Sequence, residues 1–286
     1  METLLLNTLN GLSWGMLLFM IAVGLSTVFG VMGVLNFAHG SLFMLGAYLC
    51  MQTMQYFDSF WLGLLVGPLC VVVVGVLLEK LFLKRVYKRD VSYQLLLTFA
   101  FLLVLDDGVR MIWGSGYHVV DPPAILNGIM SISGQDYPVY RLFLIVIGPV
   151  IGGLLWAFFH FTKWGKTIRA ASFDNIMAEG VGINVPLIYT AVFALGSWLA
   201  ALGGALAAPQ QSLIPSMGEK IIIESFIVVV VGGMGSFPGA FVGALLLGLL
   251  ESFGTVFAGR MQMAIHYILL ALVLLVKPNG LFRKGV

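Results

Sequence analysis

Long blocks of residues that are apolar on every side recur from one end of this chain to the other. They fall at 12–34, 37–57, 60–83, 92–113, 140–161, 187–208, 221–231, 237–257 and 263–276. Most hold the roughly 20 residues that an α-helix needs to cross the hydrocarbon core of a bilayer. The block at 221–231 is too short to cross alone. It fits half of a broken or re-entrant element, which is tolerated where protein or a cavity surrounds it. Barrel strands would alternate apolar and polar residues, and Val71-Val72-Val73-Val74 does not. Composition closes off a soluble fold as well. Apolar residues make up 60% of the 286 and charged residues 10%, against about 25% charged in a typical soluble domain. The sequence therefore predicts an all-α polytopic membrane helix bundle of roughly eight or nine hydrophobic segments. A broken or re-entrant element is admitted in its C-terminal third. Residues 1–286 read as a single transmembrane domain, with no room for a sizeable extramembrane one.

Several function classes drop out. A formal charge of +2 gives no reason to expect a nucleic-acid partner. Cys50 and Cys70 both lie in apolar blocks and read as buried free thiols, and no CxxC pair is present. The N-terminus lacks a basic region followed by a cleavage site, so its first apolar block reads as a retained helix. Gly165-Lys166-Thr167 resembles the tail of a phosphate-binding loop, but that motif needs a glycine where His160 stands. His39, His118, His160 and His266 are scattered, with no HExxH, and no serine sits in a GxSxG elbow. No catalytic residue, metal site or cofactor is expected of this chain.

Lysine and arginine in short loops mark the cytoplasmic side. Lys84, Arg85, Lys88 and Arg89 form one cluster; Lys163, Lys166 and Arg169 form a second; Lys277, Arg283 and Lys284 form a third. All three are expected in the cytoplasm, with the N-terminus outside and the C-terminus inside. Segment 114–139 has no Lys or Arg and holds Asp121-Pro122-Pro123 and Gly134, so it reads as an external loop. Segment 163–186 becomes the longest cytoplasmic connection, with a short helix expected over 168–177. A helical loop on the inner face is a natural handle for a soluble partner.

Glycine is abundant, at 35 residues. Small residues let transmembrane helices approach closely, and glycine also breaks helices where backbone must face a path. Gly30-Val-Met-Gly33 and Gly232-Gly-Met-Gly235 sit in similar settings, a hint of an internal repeat. The break Asn36-Phe37-Ala38-His39-Gly40 places polar side chains between two apolar blocks. It reads either as a discontinuous segment whose Asn36 and His39 face a substrate path, or as a satisfied interfacial turn. Ionisable residues at membrane depth are costly and usually face the interior. Glu224 and Glu251 are of this kind, with Glu251 the stronger candidate. Asp107 and Arg110 lie three apart, on one helical face, where they could pair.

Four segments in order resemble the permease subunits of branched-chain amino-acid ABC importers, of the LivH type. Phe29-Gly30-Val-Met-Gly33-Val-Leu-Asn36-Phe37-Ala38-His39-Gly40, continuing to Met44-Leu-Gly46-Ala-Tyr48, resembles the N-terminal signature. Gly165-Lys166 through Arg169-Ala-Ala and Glu179-Gly-Val-Gly182-Ile183-Asn184 resemble the cytoplasmic coupling loop. Val231-Gly-Gly-Met-Gly235-Ser-Phe-Pro238-Gly239-Ala resembles the late glycine-rich motif, and Lys277-Pro278-Asn279-Gly280-Leu281-Phe282 the C-terminal ending. The resemblance implies a multi-pass subunit of a bacterial inner membrane that forms a translocation path by alternating access. It implies a second, LivM-type permease, two cytoplasmic ATPases that consume ATP, and a periplasmic or extracellular binding protein. The path would draw on Asn36, Phe37, His39, Gly40, Gly232, Gly233, Gly235 and Glu251. Arg169, Asp174, Asn175, Glu179 and Gly180 would contact the ATPases across 163–186. The loop departs from the general Glu-Ala-Ala…Gly pattern, with Arg169-Ala170-Ala171 followed by Asn175. Relatives of this kind import leucine, isoleucine and valine, or urea, short amides and aromatic acids, so the substrate stays open. An ion-coupled secondary transporter is the rival reading, resting on Glu224 and Glu251.

Overall fold

The computed structural model describes residues 2–87, 89–132, 134–257, 259 and 262–282. Lys88, Arg283 and Lys284, members of two of the basic clusters, lie outside the described residues. The helices follow the apolar blocks closely: α1 (Glu2–Met32), α2 (Ala38–Phe57), α3 (Phe60–Leu78), then a π-helical turn (Glu79–Leu83) that carries the rod into α4 (Lys84–Val86), and α5 (Val91–Trp113). A short antiparallel hairpin, β1 (Ile129–Ile132) and β2 (Gln135–Pro138), pairs Ile129 with Pro138. After it come α6 (Val139–Phe161), α7 (Lys163–Phe173), α8 (Asn175–Gly180), α9 (Val185–Ala207), α10 (Met217–Gly232), α11 (Phe237–Phe257) and α12 (Gln262–Val276). Among the described residues, five stretches are long and apolar enough to cross a membrane: Leu4–Met32, Phe60–Val86, Val139–Phe161, Val185–Ala207 and Phe237–Val256. The helices α2, α5, α10 and α12 pack beside them and are more polar or shorter.

The layout follows from which helix faces are small. The most enclosed rod is α1, packed on α11, α9, α6 and α10. Its residues from Leu17 to Val23 are almost wholly shielded. On α3, the residues Gly63, Gly67, Val71 and Gly75 repeat every four positions and turn one stripe inward. The stripe meets Cys50 of α2 and Ser197 of α9. Leu65, Leu69 and Val73, off that stripe, are exposed, as suits a helix with one flank on protein and the rest on lipid. Cys70 falls on the lipid flank, so only Cys50 is the buried thiol that both were expected to be.

Two departures from the sequence reading concern helix ends. In place of one helix over 168–177, the chain forms α7 and α8 with a break at Asp174, whose extended backbone and side chain start α8 by accepting a hydrogen bond from Met177 N at 2.9 Å. An N-cap aspartate is a strong local start signal. The second is α10, which begins at Met217, four residues before its apolar block, because Gly218, Glu219 and Lys220 are helical although polar. It is continuous over 16 residues, roughly 24 Å, and the break follows it at residues 233–236.

The bundle has two distinguishable ends. At one, Ser172 Oγ of α7 donates to the Gly30 carbonyl of α1, and Leu281 and Phe282 donate backbone hydrogen bonds to the Val231 and Gly232 carbonyls. A small core of Val28, Leu83, Ile168 and Ala178 seals the same end. At the other end, His118 of the 114–139 segment bridges Leu213 just before α10, and Arg141 donates to Asn10.

Candidate functional site

Two helix breaks approach each other at the first end. Gly33, with φ +68°, ends α1 by donating to Phe29 O at 2.9 Å. Gly233, with φ +108°, ends α10 by donating to Val229 O at 3.0 Å, and Gly235 follows with φ +79°. These left-handed turns suit glycine. A Cβ placed on Gly30 would stand 3.1 Å from the Gly235 Cα, so the two similar glycine motifs meet in space. Gly232 faces the Gly239 backbone of α11, and Gly233 faces the Phe282 carbonyl. Those contacts bring the late glycine motif and the C-terminal ending together, and the Leu281 and Phe282 N–H groups donate to the Val231 and Gly232 carbonyls that the last turn of a helix leaves open.

The Asn36 to Gly40 segment is more enclosed than an interfacial turn. Only residues 33–36 leave the helical path with Phe37 as N-cap; His39 and Gly40 belong to the first turn of α2. Asn36 is 1% exposed and His39 0%. Asn36 has no hydrogen-bond partner among the described residues, and the His39 ring has only a poorly aligned backbone contact, with Ile21. His39 fills the space left by two glycines: a Cβ on Gly24 would lie 3.0 Å from its Nε2, and Gly196 is the other neighbour. Phe37 packs on Phe226 of α10 and Phe99 of α5, with ring centroids 4.9 and 6.1 Å apart. Gly40 lies against the Gly218 backbone of α10. Burying unsatisfied polar atoms costs about 1–3 kcal/mol each. Packing alone therefore gives no reason for Asn36 and His39 in this place.

Along the same α2–α5–α10 seam, Ser41 Oγ donates to Asp106 Oδ1 at 3.1 Å and shares its proton with Leu102 O at 3.2 Å. Glu219 acts on Asp106 electrostatically. Nearer the far end, Trp113 Nε1 donates to Gln52 at 2.8 Å. Asp107 and Arg110 pair at 3.5 Å as their spacing allows, on an exposed face.

A separate ionic cluster joins α1, α10, α11 and α12. Lys220 Nζ stands 3.5 Å from Glu224 and 3.9 Å from Glu251, while His266 Nε2 is 3.0 Å from the other Glu251 oxygen. Lys220 also lies 6.0 Å above the Trp14 ring. The side chain of Glu224 is 6% exposed and that of Glu251 19%, so Glu224 is the deeper of the two. The Gly232–Gly235 turn and Glu251 lie toward opposite ends of α11's neighbourhood. The eight path candidates thus form three groups: Gly232, Gly233 and Gly235 at one end, Glu251 toward the other, and Asn36, Phe37, His39 and Gly40 on the seam of α2 with α10.

Glu79 was not singled out from sequence, although it lies inside the apolar block 60–83. The π-helical turn places it in the interior, 0% exposed. Tyr87 Oη donates to it at 2.5 Å and Thr190 Oγ1 at 2.8 Å. Burial first, and then that hydrogen bond, push the Tyr87 hydroxyl well above the usual phenol range. An ionisable residue inside an apolar block was the available signal.

The α7–α8 pair stands off the bundle. Ile168, Ala171 and Ala178 anchor it, while Phe173, Ile176, Met177 and Val181 are all exposed. Arg169, Asp174, Asn175, Glu179 and Gly180 lie exposed around that apolar knuckle, and Asn175 reaches the Tyr189 hydroxyl at 3.3 Å. A contiguous exposed apolar patch with a polar rim is the form of a protein-interaction surface.

A family model described as branched-chain amino acid transport system / permease component matches residues 7–277. The chain is 29% identical to the high-affinity branched-chain amino acid transport system permease protein BraD of Pseudomonas aeruginosa, over 96% of this chain and 94% of that one. It is 27% identical to the LivH permease protein of the corresponding system in Salmonella typhimurium, with the same coverage. Among solved structures it resembles PsaBC from Streptococcus pneumoniae in complex with Fab, with a TM-score of 0.52 and 13% identity, covering 94% of this chain and 91% of that one. That likeness speaks to the fold alone.

Proposed function

Because the chain belongs to the family of permease components of branched-chain amino acid transport systems, we propose that it is the membrane-embedded subunit of an ABC importer for branched-chain amino acids or a related small organic solute. The observation that carries this reading is the match over 7–277, together with relatives such as BraD that align along nearly the whole chain. ATP is consumed by partner ATPases, and this chain supplies the path. The ion-coupled alternative is not favoured by any of these relatives.

In this reading the α2–α5–α10 seam, with Asn36, Phe37, His39, Gly40 and Ser41, borders the path within the bundle. The turn of Gly232, Gly233 and Gly235 forms its inner end. Glu251 with Lys220, Glu224 and His266 borders its outer end. The α7–α8 knuckle is the handle for the ATPases, through Arg169, Asp174, Asn175, Glu179 and Gly180. A LivM-type permease completes the path, and a binding protein delivers the solute from outside. The protein resides in the inner membrane with its C-terminus in the cytoplasm. Alternating access then amounts to rocking of bundles around fixed glycine turns.

The test is reconstitution of the affinity-purified assembly in liposomes. Recovery of two ATPase subunits and a second multi-span protein, with leucine uptake that needs both ATP and the binding protein, is the expected result. Uptake by this chain alone on an ion gradient would overturn the reading.

A further inference from the structure

A cavity of about 990 Å³ opens between α1, α6, α7 and α11 and shares only Gly235 with the proposed path and Arg169 with the proposed ATPase handle. Its place in the membrane follows from the helices that line it. The wall uses the last part of α1 from Val23 to Val31, the last turn of α6 at Trp156 to His160, and the first turns of α11. The ends of two crossing helices and the start of a third lie at one membrane face. From Val31 to Val23 the wall descends roughly 12 Å along α1, from headgroup level into hydrocarbon.

The lining changes character with depth. Val23, Phe159, Phe241 and Val242 make the deep wall apolar. At the mouth stand Lys166 and Arg169, three apart on α7 and so on one face, with His160 beside them and no aspartate or glutamate in the lining. Both α7 cations are exposed, and neither is ion-paired among the described residues. Trp156 stacks on His160 with centroids 4.7 Å apart, at the level where tryptophan anchors helices to the headgroup layer.

A charged mouth above an apolar slot fits an amphiphile that carries negative charge. A free inorganic anion would gain nothing from the deep wall, and a neutral lipid nothing from the unpaired cations. We propose that this cavity seats one anionic phospholipid, its phosphate against Lys166 and Arg169 and an acyl chain along Val23, Phe241 and Val242. Basic pockets between transmembrane helices bind anionic headgroups by this combination.

Trp156 is a built-in reporter. The assembled transporter is placed in phosphatidylcholine vesicles doped with phosphatidylglycerol or phosphatidylcholine that carries brominated chains. The Trp156 component is the difference in fluorescence from Trp156→Phe. Brominated phosphatidylglycerol is expected to quench that component in preference to brominated phosphatidylcholine. Lys166→Ala should lower the preference about fivefold, the weight of one cation near a charged membrane surface. Val242→Phe, which fills the slot, should lower quenching by either lipid. Equal quenching by the two lipids, or a preference that Lys166→Ala leaves unchanged, would overturn the assignment. So would displacement of the lipid by inorganic phosphate alone, which would make the mouth a free-anion site.

Discussion

A methyl group on Gly40 would run into the Gly218 carbonyl and come within 2.8 Å of the Ile222 Cβ. Gly153 on α6 has nothing within 4 Å of the same position. The two glycines look alike in sequence and do opposite things. We expect Gly40→Ala to cost about 1–3 kcal/mol by overpacking the α2–α10 contact. Gly153→Ala should gain roughly 0.5–1 kcal/mol from helix propensity. Thermal unfolding midpoints in detergent, measured on both, should move in opposite directions. A Gly40→Ala midpoint at or above that of the parent would remove the close-approach account. The sequence offered Gly40 as part of a break that either faces a path or turns at the interface, whereas its packing constraint comes from Gly218, far along the chain. Pairings of that kind are set by helix packing and leave no local pattern. Glu79 is the converse case, since its depth was written in the block around it.

The α7–α8 element ties local chemistry to docking. Asp174 both carries charge and caps α8, so Asp174→Arg would mix a lost cap with a reversed charge. Asparagine caps as well as aspartate, and loss of a cap costs about 1 kcal/mol. Asp174→Asn therefore isolates the charge. Glu179→Arg reverses charge at an exposed site where the side chain makes no hydrogen bond among the described residues. We expect Glu179→Arg to weaken co-purification of the ATPase subunits while membrane insertion stays normal, and Asp174→Asn to act in the same direction but less. Full ATPase recovery and full transport in Glu179→Arg would take the handle away from this edge of α8. The sequence reading expected a partner-facing helical segment here, with one helix over 168–177 where the chain forms α7 and α8. The break was legible in principle, because Asp174 is a capping residue followed by helix formers. Its weight against the apolar run on either side was not.

At the scale of the whole molecule, the strongest sequence argument concerned which loops share a side, and the packing bears on it independently. Lys84 and Arg85 follow Leu83, which sits in one small core with Ile168 of α7. Lys163, Lys166 and Arg169 lie on α7, which is tied to α1 through Ser172. Lys277 leads into Leu281 and Phe282, which bond to the end of α10. The described members of the three basic clusters thus gather at one end of the bundle, as the positive-inside rule requires of loops on a common side. The 114–139 segment and Leu213 gather at the other. What the packing leaves to experiment is which end faces the cytoplasm. With Cys50 and Cys70 replaced by serine, single cysteines at Gly116, Lys163 and Lys277 read it directly. A membrane-impermeant maleimide should label Gly116→Cys in intact cells. Lys163→Cys and Lys277→Cys should react only after the membrane is opened. The reverse pattern would invert the bundle and put the α7–α8 knuckle outside, out of reach of any ATPase that draws on cellular ATP. That single result would remove the docking proposal while leaving the helix packing untouched.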